Sequence, residues 1–315
     1  MENLYDLIIL GSGPAGLSAG MYSSRSNFKT LIIEKGSFGG QIINTSEIAN
    51  YPGVIGNETG SDLANKMIKQ CKDFGVEFIK DTIIEIDIDS RIKIIKSKKS
   101  IYRCKALIIA TGSSPKRLGV PNEKEFIGKG VSYCAICDGD FFEDLEVFVV
   151  GSGDSAVKEG IFLSKYARKV NIISRSEKLH AYKELEKKAK ENKKINFIFN
   201  TCIKRLYGDG ILQSIEFKNL KNNKIERYTC SKEDGLLGLF IFIGFNPNTN
   251  LFKDKLHIDE LGYIISDEYM KTNIEGVFVA GDCRQKALRQ VITAASDGAI
   301  ASLSAQKYIE DNEVV

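Results

Sequence analysis

The sequence predicts an α/β protein built from two Rossmann-like dinucleotide-binding domains, the second inserted into the first. Three observations carry that prediction. A strand, glycine turn, helix and second strand open the chain; the same unit recurs further on; and loop-forming segments stand at 112–115 and 244–248. At roughly 150 residues per domain, a chain of 315 residues has room for two, each with its own core. If both segments are crossings, the domains are 1–114 with 246–315, and 115–245.

In the first unit the apolar run Asp6-Leu7-Ile8-Ile9-Leu10 reads as a buried parallel strand. Gly11-Ser12-Gly13-Pro14-Ala15-Gly16 follows directly, then a helix-compatible stretch from Leu17 to Arg25, then the strand Thr30-Leu31-Ile32-Ile33 ending at Glu34. In this context each glycine has a reason. The first permits the tight turn, the second lets backbone approach a pyrophosphate, and the third allows close helix–strand packing. The helix N-terminus then faces the phosphates. Glu34, 23 positions after Gly11, stands where a carboxylate can hold a ribose.

A shift of 140 places Gly11 on Gly151 and Glu34 on Ser174. The second copy runs Glu146-Val147-Phe148-Val149-Val150, Gly151-Ser152-Gly153-Asp154-Ser155-Ala156, a helical stretch through Tyr166, and the strand Val170-Asn171-Ile172-Ile173. A repeat of this kind implies two dinucleotide-type units. Between the copies, 83–88 and 91–95 read as paired strands, and 105–110 as a buried one. The Lys- and Glu-rich segment 183–194 reads as a solvated helix.

Charge and composition exclude other classes. Forty-four Lys and Arg against 41 Asp and Glu leave +3, too slight a balance for nucleic acid or an anionic membrane surface. No run approaches the ~18 apolar residues of a membrane-spanning helix, and Met1-Glu2-Asn3-Leu4-Tyr5-Asp6 lacks a basic signal-peptide start. The expected location is cytoplasmic. Seven cysteines, mostly isolated, do not form a secreted disulfide framework. Cys71, Cys104, Cys202, Cys230 and Cys283 read as small buried hydrophobes. Cys134 and Cys137 form the one CxxC, and with two histidines in the chain a zinc site lacks ligands. A CxxC can cycle between dithiol and disulfide; half a metal site or two buried thiols is the plainer alternative. For Asp138, next in sequence, the plainer role is a helix N-cap.

Taken in order, Gly11-Ser12-Gly13-Pro14-Ala15-Gly16, Gly39-Gly40-Gln41, Ala110-Thr111-Gly112, Cys134-Ala135-Ile136-Cys137-Asp138-Gly139, Gly281-Asp282 and Leu288-Arg289-Gln290-Val291-Ile292-Thr293-Ala294-Ala295 resemble the low-molecular-weight thioredoxin reductases. The resemblance spans nearly the whole chain. It implies an FAD domain made from both chain ends and a central NAD(P)-type domain carrying the redox cysteines. It further implies that Gly11, Gly13, Ala15 and Gly16 cradle the FAD pyrophosphate and that Glu34 holds its ribose. Gln41, Asn50 and Thr111 would approach the cofactor, Asp282 a ribityl hydroxyl, and Gln290 with Val291 the isoalloxazine. Cys137 would face the flavin, Cys134 would attack the disulfide of thioredoxin or a thioredoxin-like protein, and Asp138 would move the thiolate's proton. Rotation between domains and a homodimer are implied as well.

The donor is where the sequence departs from the family. Its usual His-Arg-Arg triplet, with a further Arg four positions on, is Ser174-Arg175-Ser176 with His180 here, and Glu177 adds a negative charge. Two lost arginine–phosphate contacts at ~1.5–3 kcal/mol each would cost ~3–6 kcal/mol. That counts against NADPH, and without an acid at Ser174 nothing favours NADH. The pattern is similar to ferredoxin-dependent flavin thioredoxin reductases, so the expected donor is ferredoxin, with Lys96, Lys98, Lys99 and Arg103 as a docking patch. An ordinary NADPH-linked reductase, a flavin disulfide oxidase and a redox sensor are the alternatives.

Overall fold

The computed structural model describes residues 4–45, 48, 50–56 and 58–313; the side chains of Asn44, Cys137 and Glu313 lie outside the described part. The chain divides into two units, Met1–Ser114 with Asn246–Val315, and Pro115–Phe245.

The first unit opens with β1 (Leu4–Leu10), α1 (Pro14–Arg25) and β2 (Thr30–Glu34). Helix α1 begins at Pro14 rather than Leu17, because proline's missing N–H is harmless in a helix's first turn. Next come α2 (Gly60–Asp73), β3 (Glu77–Lys80), β4 (Ile83–Asp87), β5 (Lys93–Ser97) and β6 (Ile101–Ile109). Thr59 and Asp62 cap α2 reciprocally.

The chain then crosses through β7 (Ser113–Pro115). The second unit comprises β8 (Val131–Ser132), α3 (Ala135–Asp138), β9 (Glu146–Val150), α4 (Asp154–Leu163), β10 (Lys169–Ile173), α5 (Lys183–Glu191), β11 (Ile195–Ile198), β12 (Thr201–Tyr207), β13 (Ser214–Asn219), β14 (Ile225–Thr229) and β15 (Gly238–Ile241). The chain returns through β16 (Phe245–Pro247) to β17 (Val277–Val279) and α6 (Val291–Glu313). Helix α5 buries only Ala189, as a solvated helix should.

The first unit's sheet runs β3-β2-β1-β6-β5-β4, with β17 also on β6. Strand β6 changes partners along its length. Its first half pairs antiparallel with β5 and its second half parallel with β17, while β1 runs alongside throughout. Burial follows: it alternates from Ile101 to Cys104 and is continuous from Ala106 to Ile109. The two faces of β1 feed separate cores. Ile8 and Leu10 pack with Phe252 and Ile264, and Leu7 and Ile9 with Leu17, Ala301 and Ala305. The second unit has a parallel sheet β11-β10-β9-β15-β8 and a separate antiparallel sheet β12-β13-β14.

Helices α1 and α6 approach closely at Gly298, where a Cβ would lie 2.1 Å from the carbonyl oxygen of Ala15. Gly298→Ala is expected to destabilise the fold by about 2–3 kcal/mol, measured as a lower urea midpoint with an unchanged slope.

Candidate functional site

A cavity of about 720 Å³ lies in the first unit, at the carboxyl ends of β1, β2 and β6. This is where open α/β sheets bind ligands. Gly11, Gly13, Ala15, Glu34 and Gln41 line it from the N-terminal segment, Thr111 from the end of β6, and Asp282, Gln290 and Val291 from the returning chain. Gly11 adopts φ +106°, and a Cβ there would meet the Ala110 carbonyl at 2.3 Å. At Gly13 a Cβ would meet nothing nearer than 4.0 Å, so backbone is left open to the cavity beside the amino end of α1.

Two expected cofactor residues lie outside this wall. Gly16 faces protein: its Cβ would sit 2.0 Å from the Gly11 carbonyl oxygen, so it permits the close helix–strand packing. Asn50 reaches the site through Gln290, donating from Nδ2 to Oε1 at 3.0 Å. The Glu34 carboxylate is partly engaged. Oε2 accepts the Ser12 N–H at 2.9 Å and the Ser12 hydroxyl at 3.0 Å, and Oε1 accepts the Gly36 N–H at 2.8 Å. An oxygen can accept twice, so Oε1 keeps one position open. Gln41 donates to the Ser113 carbonyl.

Sequence reasoning missed Asn248, which it had read as linker. Asn248 accepts the Thr111 hydroxyl at its carbonyl, 2.8 Å away, and its Nδ2 donates back to the Thr111 carbonyl at 2.9 Å. It thereby fixes one side of the cavity mouth. Arg289 was also passed over: its guanidinium lies 3.8 Å from the Tyr263 ring centroid, and its Nε is buried without a hydrogen-bond partner. Asp282 Oδ1 is likewise buried without a hydrogen-bond partner, and burial pushes its carboxyl up from the ordinary value. Orphaned polar atoms in a cavity wall, glycines open to it and a helix N-terminus together fit a large polar cofactor such as FAD.

In the second unit, Cys134 stands just before α3, half-buried and disulfide-bonded. Its N–H donates to the Ser132 hydroxyl at 3.0 Å, and that hydroxyl donates back to the Cys134 carbonyl at 3.1 Å. Cys137 lies on α3, and its side chain is outside the described part. Asp138 ends α3 and precedes a 3₁₀ turn; its half-buried side chain makes no capping hydrogen bond, which removes the plain N-cap role.

A family model described as pyridine nucleotide-disulphide oxidoreductase matches residues 5–298. A thioredoxin reductase from Peptoclostridium acidaminophilum is 52% identical over 312 residues, covering 99% of each chain. The chain belongs to the thioredoxin reductase branch of that family. The crystal structure of Lactococcus lactis thioredoxin reductase matches with a TM-score of 0.85 at 40% identity, over 98% of this chain and 99% of that one. A ferredoxin-flavin thioredoxin reductase from Clostridium acetobutylicum is 22% identical with a TM-score of 0.53 over 99% of both chains, a likeness of fold alone. This family member is a flavoprotein-type oxidoreductase, and among its described residues no helix is long and apolar enough to cross a membrane.

The enzyme's second glycine turn borders a cavity of about 520 Å³, lined among others by Gly151, Gly153, Arg175, Ser176 and His180. Ser174 is buried, and its hydroxyl accepts the Ser176 N–H at 3.0 Å. Ser176 Oγ and His180 Nε2 are 3.1 Å apart. Glu177 is exposed and pairs with Lys221 at 3.6 Å. Asp154 Oδ1 accepts the Tyr182 N–H at 2.7 Å.

Two of the four residues of the expected docking patch are engaged locally. Lys96 pairs with Glu85 at 2.8 Å, and Lys99 donates to the Lys80 carbonyl at 3.1 Å, as on an ordinary solvated strand edge. Cys71, Cys104 and Cys283 are buried and free, and burial pushes the Cys71 thiol up to about 12. Cys202 and Cys230 depart from the expectation: both are half-exposed, on β12 and just after β14, where the small antiparallel sheet leaves them partly uncovered.

Proposed function

We propose that the protein is an FAD-dependent reductase of thioredoxin or a thioredoxin-like protein, working through Cys134, Cys137 and Asp138 and drawing on a pyridine nucleotide. The observation that carries this reading is 52% identity to a thioredoxin reductase along the full chain. The family description names a pyridine nucleotide and its model covers the second glycine turn. These findings favour the ordinary NADPH-linked alternative over the ferredoxin donor expected from the sequence.

Bound FAD supplies a two-electron store between nicotinamide and disulfide. Gly11, Gly13 and Ala15 would take its pyrophosphate, Glu34 its ribose, and Asp282 a ribityl hydroxyl, with Gln41, Thr111, Gln290 and Val291 around the rest. Asn50 would act through Gln290, and Gly16 through the packing of α1. Cys134 would attack the partner's disulfide as thiolate, Cys137 would displace the partner by closing the internal disulfide, and Asp138 would carry the proton between turnovers. The protein would work as a cytoplasmic homodimer.

Anaerobic mixing with NADPH, then NADH, tests the donor. Rapid loss of the flavin's long-wavelength band with NADPH, followed by thioredoxin reduction, is the expected result. Persistent colour with NADPH, together with bleaching by reduced ferredoxin, would overturn the donor assignment. Rapid peroxide release with dithiols would instead mark an oxidase.

A further inference from the structure

Beside the flavin cavity lies a buried ionic cluster with no assigned role. The Lys286 side chain is 8% exposed and that of Asp297 10%, and Lys286 Nζ lies 2.9 Å from Asp297 Oδ2. The same Oδ2 accepts the Gly281 N–H at 3.0 Å, which ties α6 to the turn carrying Asp282. Lys286 Nζ is also 3.4 Å from the Thr293 hydroxyl and 3.7 Å from Asp282 Oδ1, the oxygen in the cavity wall that has no hydrogen-bond partner. Arg284 Nε stands 3.9 Å from Asp297 Oδ2. Asp282 thus faces one ammonium, a second carboxylate and the Arg289 guanidinium.

We propose that Lys286 is a positioning residue for the cofactor: held by Asp297, its ammonium keeps Asp282 an ionised hydrogen-bond acceptor in the cavity wall. The proposal rests on the reading that this cavity holds FAD.

The reasoning is electrostatic. Asp297 is buried and the Asp282 side chain 34% exposed, so each carboxylate disfavours ionisation of the other and a cation between them offsets that cost. Burial pushes the Asp282 carboxyl up; Lys286, then Arg289, oppose that, and Asp297 adds to it. An ionised carboxylate accepts a hydroxyl's hydrogen bond about twice as strongly as a neutral acceptor. Cofactor affinity from this contact is therefore present above the Asp282 pKa and lost as pH falls through it. Removing the ammonium moves that loss upward towards neutral pH. If Lys286 served packing alone, its removal would weaken the fold without any pH-specific effect on the flavin.

The test is the dissociation constant of FAD, read by fluorescence between pH 8 and pH 6. Wild type should change less than about twofold. Lys286→Met should weaken at least about threefold across that interval, because the carboxylate has lost its nearest cation, and Lys286→Arg should restore the flat profile. A profile for Lys286→Met parallel to wild type would overturn the proposal. Should that variant not fold, Lys286→Gln decides. It keeps a polar side chain against Asp297 without the charge, so FAD affinity should again fall more steeply with pH than in wild type, and a profile parallel to wild type would overturn the proposal. Wild-type protein that binds no FAD at any pH would instead remove the functional reading itself.

Discussion

Cys134→Ser and Cys137→Ser should each reduce thioredoxin-disulfide turnover to background, a loss of at least about 10³-fold, while the protein stays yellow. Serine cannot form a disulfide, so neither the mixed disulfide with the partner nor the internal disulfide that releases it can complete the cycle. The fold should tolerate both changes. The main apolar core around α3 and α4 is built from Ala135, Phe142, Val147, Val157 and Leu163, and Cys134 is not part of it. Flavin content should be unchanged, because the first unit's cavity is lined by residues of that unit. Turnover at the wild-type rate in either variant would dismiss the dithiol scheme; a colourless Cys137→Ser protein would do the same for the separation of the two sites.

Gly13→Val and Gly11→Ala should separate cofactor binding from folding. Gly13 has φ −70°, an ordinary backbone conformation, and open space where a Cβ would go. Valine there should leave the unfolding free energy within about 0.5 kcal/mol of wild type, read from urea titration. It should also fill the approach to α1 and lower FAD affinity at least about 100-fold, or ~2.7 kcal/mol. Gly11, by contrast, is strained for any other residue and abuts the Ala110 carbonyl. Gly11→Ala should cost about 3 kcal/mol or more of stability before binding is considered. Equal loss of stability in both variants would show that Gly13 is structural and not part of a cofactor cradle. Retained FAD affinity in a folded Gly13→Val protein would remove the pyrophosphate from this turn.

The sequence alone determined the repeat, the two glycine turns, the strands leading into them and the CxxC with its following acid. These are local patterns: an unbroken apolar run marks a strand buried on both faces, and a glycine at a strand end marks a turn others cannot make. Helix α2, the β12–β14 sheet and the 23-residue α6 were not legible. Helix α6 mixes Ala, Ser, Gly and Asp with no clear apolar stripe, and it is defined by what it packs against, notably α1 at Gly298. Asn248 read as a linker because its hydrogen bonds reach back across 137 residues to Thr111. The ferredoxin expectation came from arginines missing after the second glycine turn, which the sequence shows; the likeness to a thioredoxin reductase along the full chain is what favours the NADPH-linked alternative. Gly16 shows the converse. Its place in the fingerprint was plain, yet whether it meets cofactor or protein depended on the 2.0 Å between its would-be Cβ and a neighbouring carbonyl. Sequence encodes which groups are available through short-range pattern, whereas charge pairing, burial and close backbone approach depend on long-range contacts that exist once the chain has packed.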